Sequence, residues 1–367
     1  MNATIIGMFL AGLVLLIVGA EILVRGASRL ATAVGISPLV VGLTVVAFGT
    51  SAPELAITLQ STLSGEPDLA LGNVIGSNIA NVLLILGLTA LIRPLVVAPR
   101  ILRLDVPVMI GVSGLLFALA LDQSISRFDG VLLVTGLVVY TGFTVQQSRR
   151  ESRQVQEEFA EEYGAARRQS PVESITQLLL IIVGLALLTL GARWLVESAV
   201  VFATFLGLSE LIIGLTVIAV GTSLPEIAAS IAAGLKGERD IAIGNVVGSC
   251  IFNILSVLGI SSLVAPAGIQ VSPAAIAFDL PVMLAVMIAC LPIAFNGYAI
   301  LRWEGALFLG YYAAYTAYLV LNATQHAALP LFSTIMLAFV IPLTVLTLLV
   351  LSIRNWHTAR QTRRQAA

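Results

Sequence analysis

Gly42–Pro94 reads GLTVVAFGTSAPELAITLQSTLSGEPDLALGNVIGSNIANVLLILGLTALIRP, and Gly214–Pro266 reads GLTVIAVGTSLPEIAASIAAGLKGERDIAIGNVVGSCIFNILSVLGISSLVAP. The two stretches align without a gap, 172 residues apart, and about half their positions are identical. Each copy sets one glutamate, Glu54 or Glu226, inside an otherwise uncharged apolar run. Ionisable groups are costly in lipid and mark functional sites there, so a matched pair is the strongest pointer in the chain.

Working outward, 58% of the 367 residues are hydrophobic and only 11% are charged. An ordinary soluble domain carries about 25% charged residues. Eleven apolar runs approach or exceed the roughly 20 residues that span a bilayer: about 5–24, 36–63, 68–92, 104–121, 128–146, 175–196, 208–234, 240–264, 274–296, 302–321 and 331–352. The fold class is an all-α polytopic membrane protein. MNATIIGMFLAG lacks a positive n-region and is expected to be a retained first span. No basic patch with interleaved aromatics suggests nucleic acid, and Cys250 and Cys290 read as buried inert thiols. The bilayer is the expected partner, and no obligate protein partner is evident.

Placing the N-terminus outside puts all but Arg127 and Arg193 of the 19 lysines and arginines in inside loops. The positive-inside rule therefore sets the N-terminus out and the C-terminus in the cytoplasm, in an inner (plasma) membrane of bacterial type. Five crossings separate the copies, an odd number, so they face opposite ways: an inverted-topology repeat. Similarity extends beyond the core, as in RLDVPVM (103–109) against AFDLPVM (277–283), and Tyr140-Thr141 against Tyr315-Thr316. The expected organisation is a first five-helix unit (1–148), a charged cytoplasmic linker (149–174), an inverted five-helix unit (175–322), and an extra helix with a basic tail (323–367).

GTSAPE (49–54) and GTSLPE (221–226) interrupt their apolar runs with Gly, Thr, Ser and Pro. Pro53 and Pro225 have no N–H for the carbonyls of Gly49 and Gly221, and lipid tolerates a broken helix only where it lines a polar cavity. Thr50, Ser51, Thr222 and Ser223 add hydroxyls, and Thr50 shares a helix face with Glu54 as Thr222 does with Glu226. In GNVIGSNIAN (72–81) and GNVVGSCIFN (244–253), Ser77 and Asn81, like Ser249 and Asn253, are i, i+4 pairs. Gly72, Gly76, Gly244 and Gly248 provide surfaces that let neighbouring backbones approach. A single membrane Ser, Thr or Asn is ordinarily a helix–helix hydrogen-bonding group. The same polar set in both copies argues instead for an oxygen-lined site for hard cations such as Ca²⁺ and Na⁺. Asp105 and Asp279 each stand just before a proline and read as helix-start or interfacial residues.

With these motifs the chain resembles the calcium/cation antiporter superfamily, and the GTSxPE form is similar to its prokaryotic sodium/calcium exchanger branch. The resemblance implies ten helices in two inverted halves, ion subsites near the midplane, and alternating access by sliding of segments 1 and 6. It implies that Glu54 and Glu226 bind both ions, completed by Thr50, Thr222, Ser51, Ser223, Ser77, Ser249 and the carbonyls of Ala47 and Ala219. Asn81 matches the family's amide position. Asn253 stands where some relatives have aspartate, which leaves two intramembrane carboxylates instead of three. The implied activity is Ca²⁺/Na⁺ antiport, with Ca²⁺/H⁺ antiport as the alternative because carboxyl groups also carry protons. A resident cofactor is not implied. An intramembrane hydrolase is disfavoured, since His326 and His357 lie away from the repeat.

Overall fold

A computed structural model describes residues 3–34, 36–163, 171–206, 213, 217, 219–295, 298–348 and 350. Helix α1 is Ala3–Val34, and a pair, α2 (Pro38–Thr50) and α3 (Ala52–Leu63), is bent by 43° at Ser51. Then come α4 (Pro67–Ile92), α5 (Ile101–Asp122), α6 (Arg127–Tyr163) and α7 (Pro171–Phe205). The second copy supplies α8 (Ala219–Thr222), α9 (Leu224–Lys236) and α10 (Arg239–Val264). Helix α11 runs through a π turn, Ala275–Asp279, into Leu280–Phe295; α12 is Arg302–Ala323 and α13 is Leu329–Leu348. Among the described residues seven helices are long and apolar enough to cross a bilayer, and α2 with α3 makes an eighth. The predicted run 208–234 is described at 213, 217 and from 219 onward, and the basic tail 354–367 lies outside the described residues. The charged linker predicted at 149–174 is helical through Tyr163 as the end of α6.

Close contacts between the halves come in exchanged pairs. A Cβ at Gly12 would stand 2.9 Å from the carbonyl oxygen of Gly191, and one at Gly191 would stand 2.8 Å from that of Gly12. Gly19 and Gly184 repeat the relation at 2.9 Å each way. Gly12 corresponds to Gly184 and Gly19 to Gly191 at the repeat spacing, so α1 and α7 are equivalent helices that cross running antiparallel. That is the inversion read from the sequence, seen as packing. The same exchange joins strand β1 (Leu95–Val96) to β4 (Ala299–Ile300), and β2 (Ser124–Ile125) to β3 (Ile269–Gln270), both antiparallel. Arg127 Nε donates to the carbonyl of Ala265 at the end of α10 (2.9 Å), and Arg302 Nη2 to that of Ile92 at the end of α4 (3.3 Å). Each guanidinium thus satisfies carbonyls at the negative end of a helix. Arg127 is therefore a helix cap, and Arg193 is paired with Glu197 at 2.7 Å.

Helix α10 is buried throughout its apolar window and α4 over most of it, whereas α1, α6 and α7 turn Leu, Ile, Val and Phe side chains outward. This is the burial expected when lipid is the outer solvent and the polar residues are central. Helix α13 is attached by the Tyr311 hydroxyl, which donates to Thr344 Oγ1 at 2.7 Å. Cys250 and Cys290 are buried free thiols. Asp105 corrects the interfacial reading: it is fully buried, accepts the Tyr140 hydroxyl at 3.1 Å, and lies 4.0 Å from Arg100 Nε. The burial is tolerable because a donor and a cation accompany the carboxylate.

The glycines of the second copy behave as predicted, since a Cβ at Gly248 would stand 2.6 Å from the carbonyl oxygen of Leu43. By the repeat spacing Gly72 and Gly76 face residues 211 and 215, which lie outside the described residues. Gly248→Ala should therefore cost about 1–3 kcal/mol through backbone displacement, seen as a lowered melting temperature in detergent. An unchanged melting temperature would contradict this packing.

Candidate functional site

The site begins at the two helix breaks. Ser51 lies at φ −81°, ψ 7° and Ser223 at φ −89°, ψ 8°, the same turn at repeat-related positions. Pro53 and Pro225 occupy the first turns of α3 and α9, where a missing N–H removes no helical bond. Glu54 and Glu226 follow in those same first turns, at the end of a helix that favours negative charge. Both glutamates are 1% exposed. Among the described residues no Lys, Arg or His forms a salt bridge with either.

The two copies interlock around this pair. Ser51 Oγ donates to Glu226 Oε1 at 3.4 Å, and Thr50 lies beside the same carboxylate. The hydroxyls of Ser77 and Ser223 face Glu54, although neither Glu54 oxygen receives a well-formed hydrogen bond. The carboxylates are near enough to repel each other. Glu226 Oε2, Ser223 Oγ, Ser249 Oγ, Asn253 Oδ1 and both amide atoms of Asn81 are buried with no hydrogen-bond partner. Each such atom forfeits about 1–3 kcal/mol of lost hydration. The oxygens among these atoms are of the kind a hard cation takes, six to eight in flexible geometry, whereas the Asn81 amide N–H is not a ligand.

Most predicted site residues thus converge. Thr50 donates to Asn245 Oδ1 at 3.1 Å, and Ala47 O accepts the Ser51 N–H at 3.0 Å within the broken turn. Thr222 is half-buried, and the backbone of Ala219 opens α8 one turn before the break. Asn81 and Asn253 each start a π turn, Asn81–Leu86 and Asn253–Leu258, an irregularity frequent at functional sites. Asn253 Nδ2 donates to Asn78 Oδ1 at 3.1 Å, which leaves its own oxygen toward the cluster. An aspartate there would set oxygen against oxygen unless the Asn78 amide turned over, so the asparagine agrees with its neighbour.

Two residues escaped the sequence reading. Asn73 Nδ2 donates to Thr58 Oγ1 at 2.9 Å and to the Glu54 carbonyl at 3.2 Å. Asn245 repeats both bonds, to Ser230 Oγ at 3.0 Å and to the Glu226 carbonyl at 3.4 Å. Each amide clamps the glutamate-bearing helix to the next helix. The signal was present in the repeated GNV asparagine and the hydroxyl kept at Thr58 and Ser230.

Among the described residues, a cavity reaches the first copy's side of the cluster. A cavity of about 320 Å³ reaches Asn73, Ser77 and Thr222, with Asp279, Tyr315 and Thr316 in its wall. The repeat counterparts Asn245, Ser249, Thr50, Asp105 and Tyr140 are all buried, and there α2 seats against Gly244 and Gly248.

The sequence profile of the family described as sodium/calcium exchanger protein matches residues 4–146 and 176–321. Inner membrane protein YrbG of Escherichia coli (strain K12) is 41% identical over 283 residues, covering 77% of this chain and 86% of the relative. Sodium/calcium exchanger MaX1 of Methanosarcina acetivorans is 32% identical over 336 residues, covering 83% and 95%. Among solved structures, the sodium-calcium exchanger NCX_Mj, soaked with Na⁺ and Ca²⁺, superposes with a TM-score of 0.72 at 30% identity. That match covers 86% of this chain and 99% of the other.

Asn245→Ala removes the donor shared by Ser230 and the Glu226 carbonyl. The variant should lose about 1–3 kcal/mol of stability and bind Ca²⁺ more weakly, measured by thermal melting with and without Ca²⁺. An unchanged melting temperature and an unchanged Ca²⁺-induced shift would contradict the clamp.

Proposed function

The chain belongs to the sodium/calcium exchanger protein family, and from that membership we propose that it exports Ca²⁺ in exchange for Na⁺, both ions using one oxygen cluster between the two repeats. It is a multi-span membrane transporter and not an enzyme, and its class is that of Ca²⁺-handling cation antiporters. The choice of sodium, the residues that hold the ions and the orientation of the termini are our reading. The observation that carries it is the buried Glu54–Glu226 pair, beside several unpartnered oxygens and, among the described residues, without a salt-bridged basic side chain.

In this reading Glu54 and Glu226 supply the charge that neutralises one Ca²⁺. Ser51, Thr50, Ser77, Ser223, Thr222 and Ser249 supply neutral oxygens that also suit Na⁺, with Asn81, Asn253 and the carbonyls of Ala47 and Ala219 closing the cluster. Coupling arises because a cluster emptied of cations brings two carboxylates together in a low-dielectric core, which disfavours closure around an empty site. The helix breaks allow α2 and the turn at α8 to seat or unseat, so that the cavity on one side closes as its counterpart opens. We place the N-terminus outside and the charged linker in the cytoplasm of an inner membrane, in line with the arginine bias and with YrbG.

The test is ⁴⁵Ca²⁺ uptake into proteoliposomes under an outward Na⁺ gradient, against an outward proton gradient at matched ionic strength. Uptake should follow the Na⁺ gradient. Uptake driven by protons alone would convert the assignment to Ca²⁺/H⁺ antiport, which a buried pair of carboxyls also permits. Glu54→Gln and Glu226→Gln should each reduce exchange by at least about 100-fold, from the loss of a charge worth several kcal/mol in a dry site. Full exchange in a folded variant would remove that glutamate from the site.

A further inference from the structure

We propose that Asp279, with the hydroxyls of Tyr312, Tyr315 and Thr316, forms a vestibular site for a divalent cation in the wall of the cavity that leads to Ser77 and Thr222. The cavity holds Asp279 beside residues 312, 315 and 316 of α12, which share one helix face by their spacing. Tyr315 lies close enough to feel the Asp279 charge. The same cavity is lined by Asn73, Ser77 and Thr222 of the oxygen cluster, so a cation that enters it meets this carboxylate and those oxygens in one space.

The repeat shows why Asp279 differs from an ordinary buried carboxylate. Its counterpart Asp105 is sealed in the core, hydrogen-bonded by Tyr140 and accompanied by Arg100. The segment Arg100–Asp105 reads RILRLD, whereas Ala274–Asp279 reads AAIAFD. Both arginines have become alanine, while the carboxylate and the tyrosine, Tyr315 for Tyr140, remain. Asp279 is half-buried, and among the described residues no cationic side chain forms a salt bridge with it. The first half therefore uses the pair as a neutralised internal strut. The second presents a carboxylate with its charge uncompensated to a cavity that water-sized molecules enter.

The chemistry is that of a hard, partly hydrated cation. One carboxylate and phenol and alcohol oxygens are too few for a dry cage, and Ca²⁺ readily keeps waters among its ligands. A lone negative charge in a low-dielectric wall raises the local cation concentration and the rate of capture. The vestibular site thus supplies in the cavity wall the third carboxylate that Asn253 does not supply in the cluster.

The identity of the cation rests on the exchange reading above, but binding is measurable without transport. The probe is Tb³⁺, a hard cation that substitutes for Ca²⁺ and luminesces when a tyrosine a few ångströms away is excited. In the detergent-solubilised chain, tyrosine-sensitised emission should appear, be displaced by Ca²⁺, and persist in the Glu54→Gln/Glu226→Gln double variant. It should be lost in Asp279→Asn added to that background and restored by Asp279→Glu. Emission that survives Asp279→Asn, or that vanishes in the double variant alone, overturns the proposal, as does the absence of sensitised emission. In proteoliposomes Asp279→Asn should raise KM for Ca²⁺ offered from the cavity side about tenfold, with a smaller loss of saturating flux. An unchanged KM overturns the capture role. Asp279-dependent emission in a chain that exchanges no Ca²⁺ would sink the exchange reading and leave the vestibular site standing.

Discussion

Two carboxylates share one buried core in which, among the described residues, no basic side chain pairs with them, and the elements around them follow from that constraint. Removing a carboxylate from water costs several kcal/mol, and a second one nearby adds repulsion. An arginine placed between them would relieve both terms but would also fill the position permanently. The chain instead surrounds Glu54 and Glu226 with hydroxyl and amide groups, several of which, Ser223 Oγ, Ser249 Oγ and Asn253 Oδ1 among them, have no hydrogen-bond partner. In the exchange reading a cation relieves this core, and a cation that comes and goes would make occupancy and conformation interdependent.

The architecture keeps this pair in place beside a cavity. Broken turns at Ser51 and Ser223 present the glutamates in the first turns of α3 and α9, and Asn73 and Asn245 clamp those turns to α4 and α10. Each carboxylate meets hydroxyls of the opposite copy, so neither half has a complete site alone. The exchanged glycine contacts of α1 and α7 hold the halves backbone to backbone. Among the described residues, a cavity lies beside Gly72 and α2 seats against Gly244. The altered environment of Asp279 relative to Asp105 lies on the cavity side.

Much of this was legible in the letters. The gapless duplication located both glutamates, the threonine–serine breaks and the Ser77/Ser249 and Asn81/Asn253 pairs, because a repeated polar set in apolar runs has few packing explanations. What was not legible depended on contacts between distant segments. The repeat marks the asparagine of GNV but carries no signal of its role, because its amide acts on the carbonyl of a glutamate in the preceding helix. The π turns beginning at Asn81 and Asn253 leave no periodicity signal in short apolar runs. Asp105 and Asp279 read alike from their prolines, and only packing separates a sealed strut from a cavity wall.

The central claim is that Ca²⁺ and Na⁺ compete for one cluster of oxygens, and equilibrium competition tests it most directly. ⁴⁵Ca²⁺ bound to the detergent-solubilised chain would be titrated with Na⁺ at constant ionic strength, choline serving as the replacement ion. The account predicts complete release of the tightly bound Ca²⁺ with a Na⁺ dependence steeper than one-for-one, since several Na⁺ must fill the place of one Ca²⁺. Retention of that Ca²⁺ at saturating Na⁺, or release by acidification alone, would contradict it.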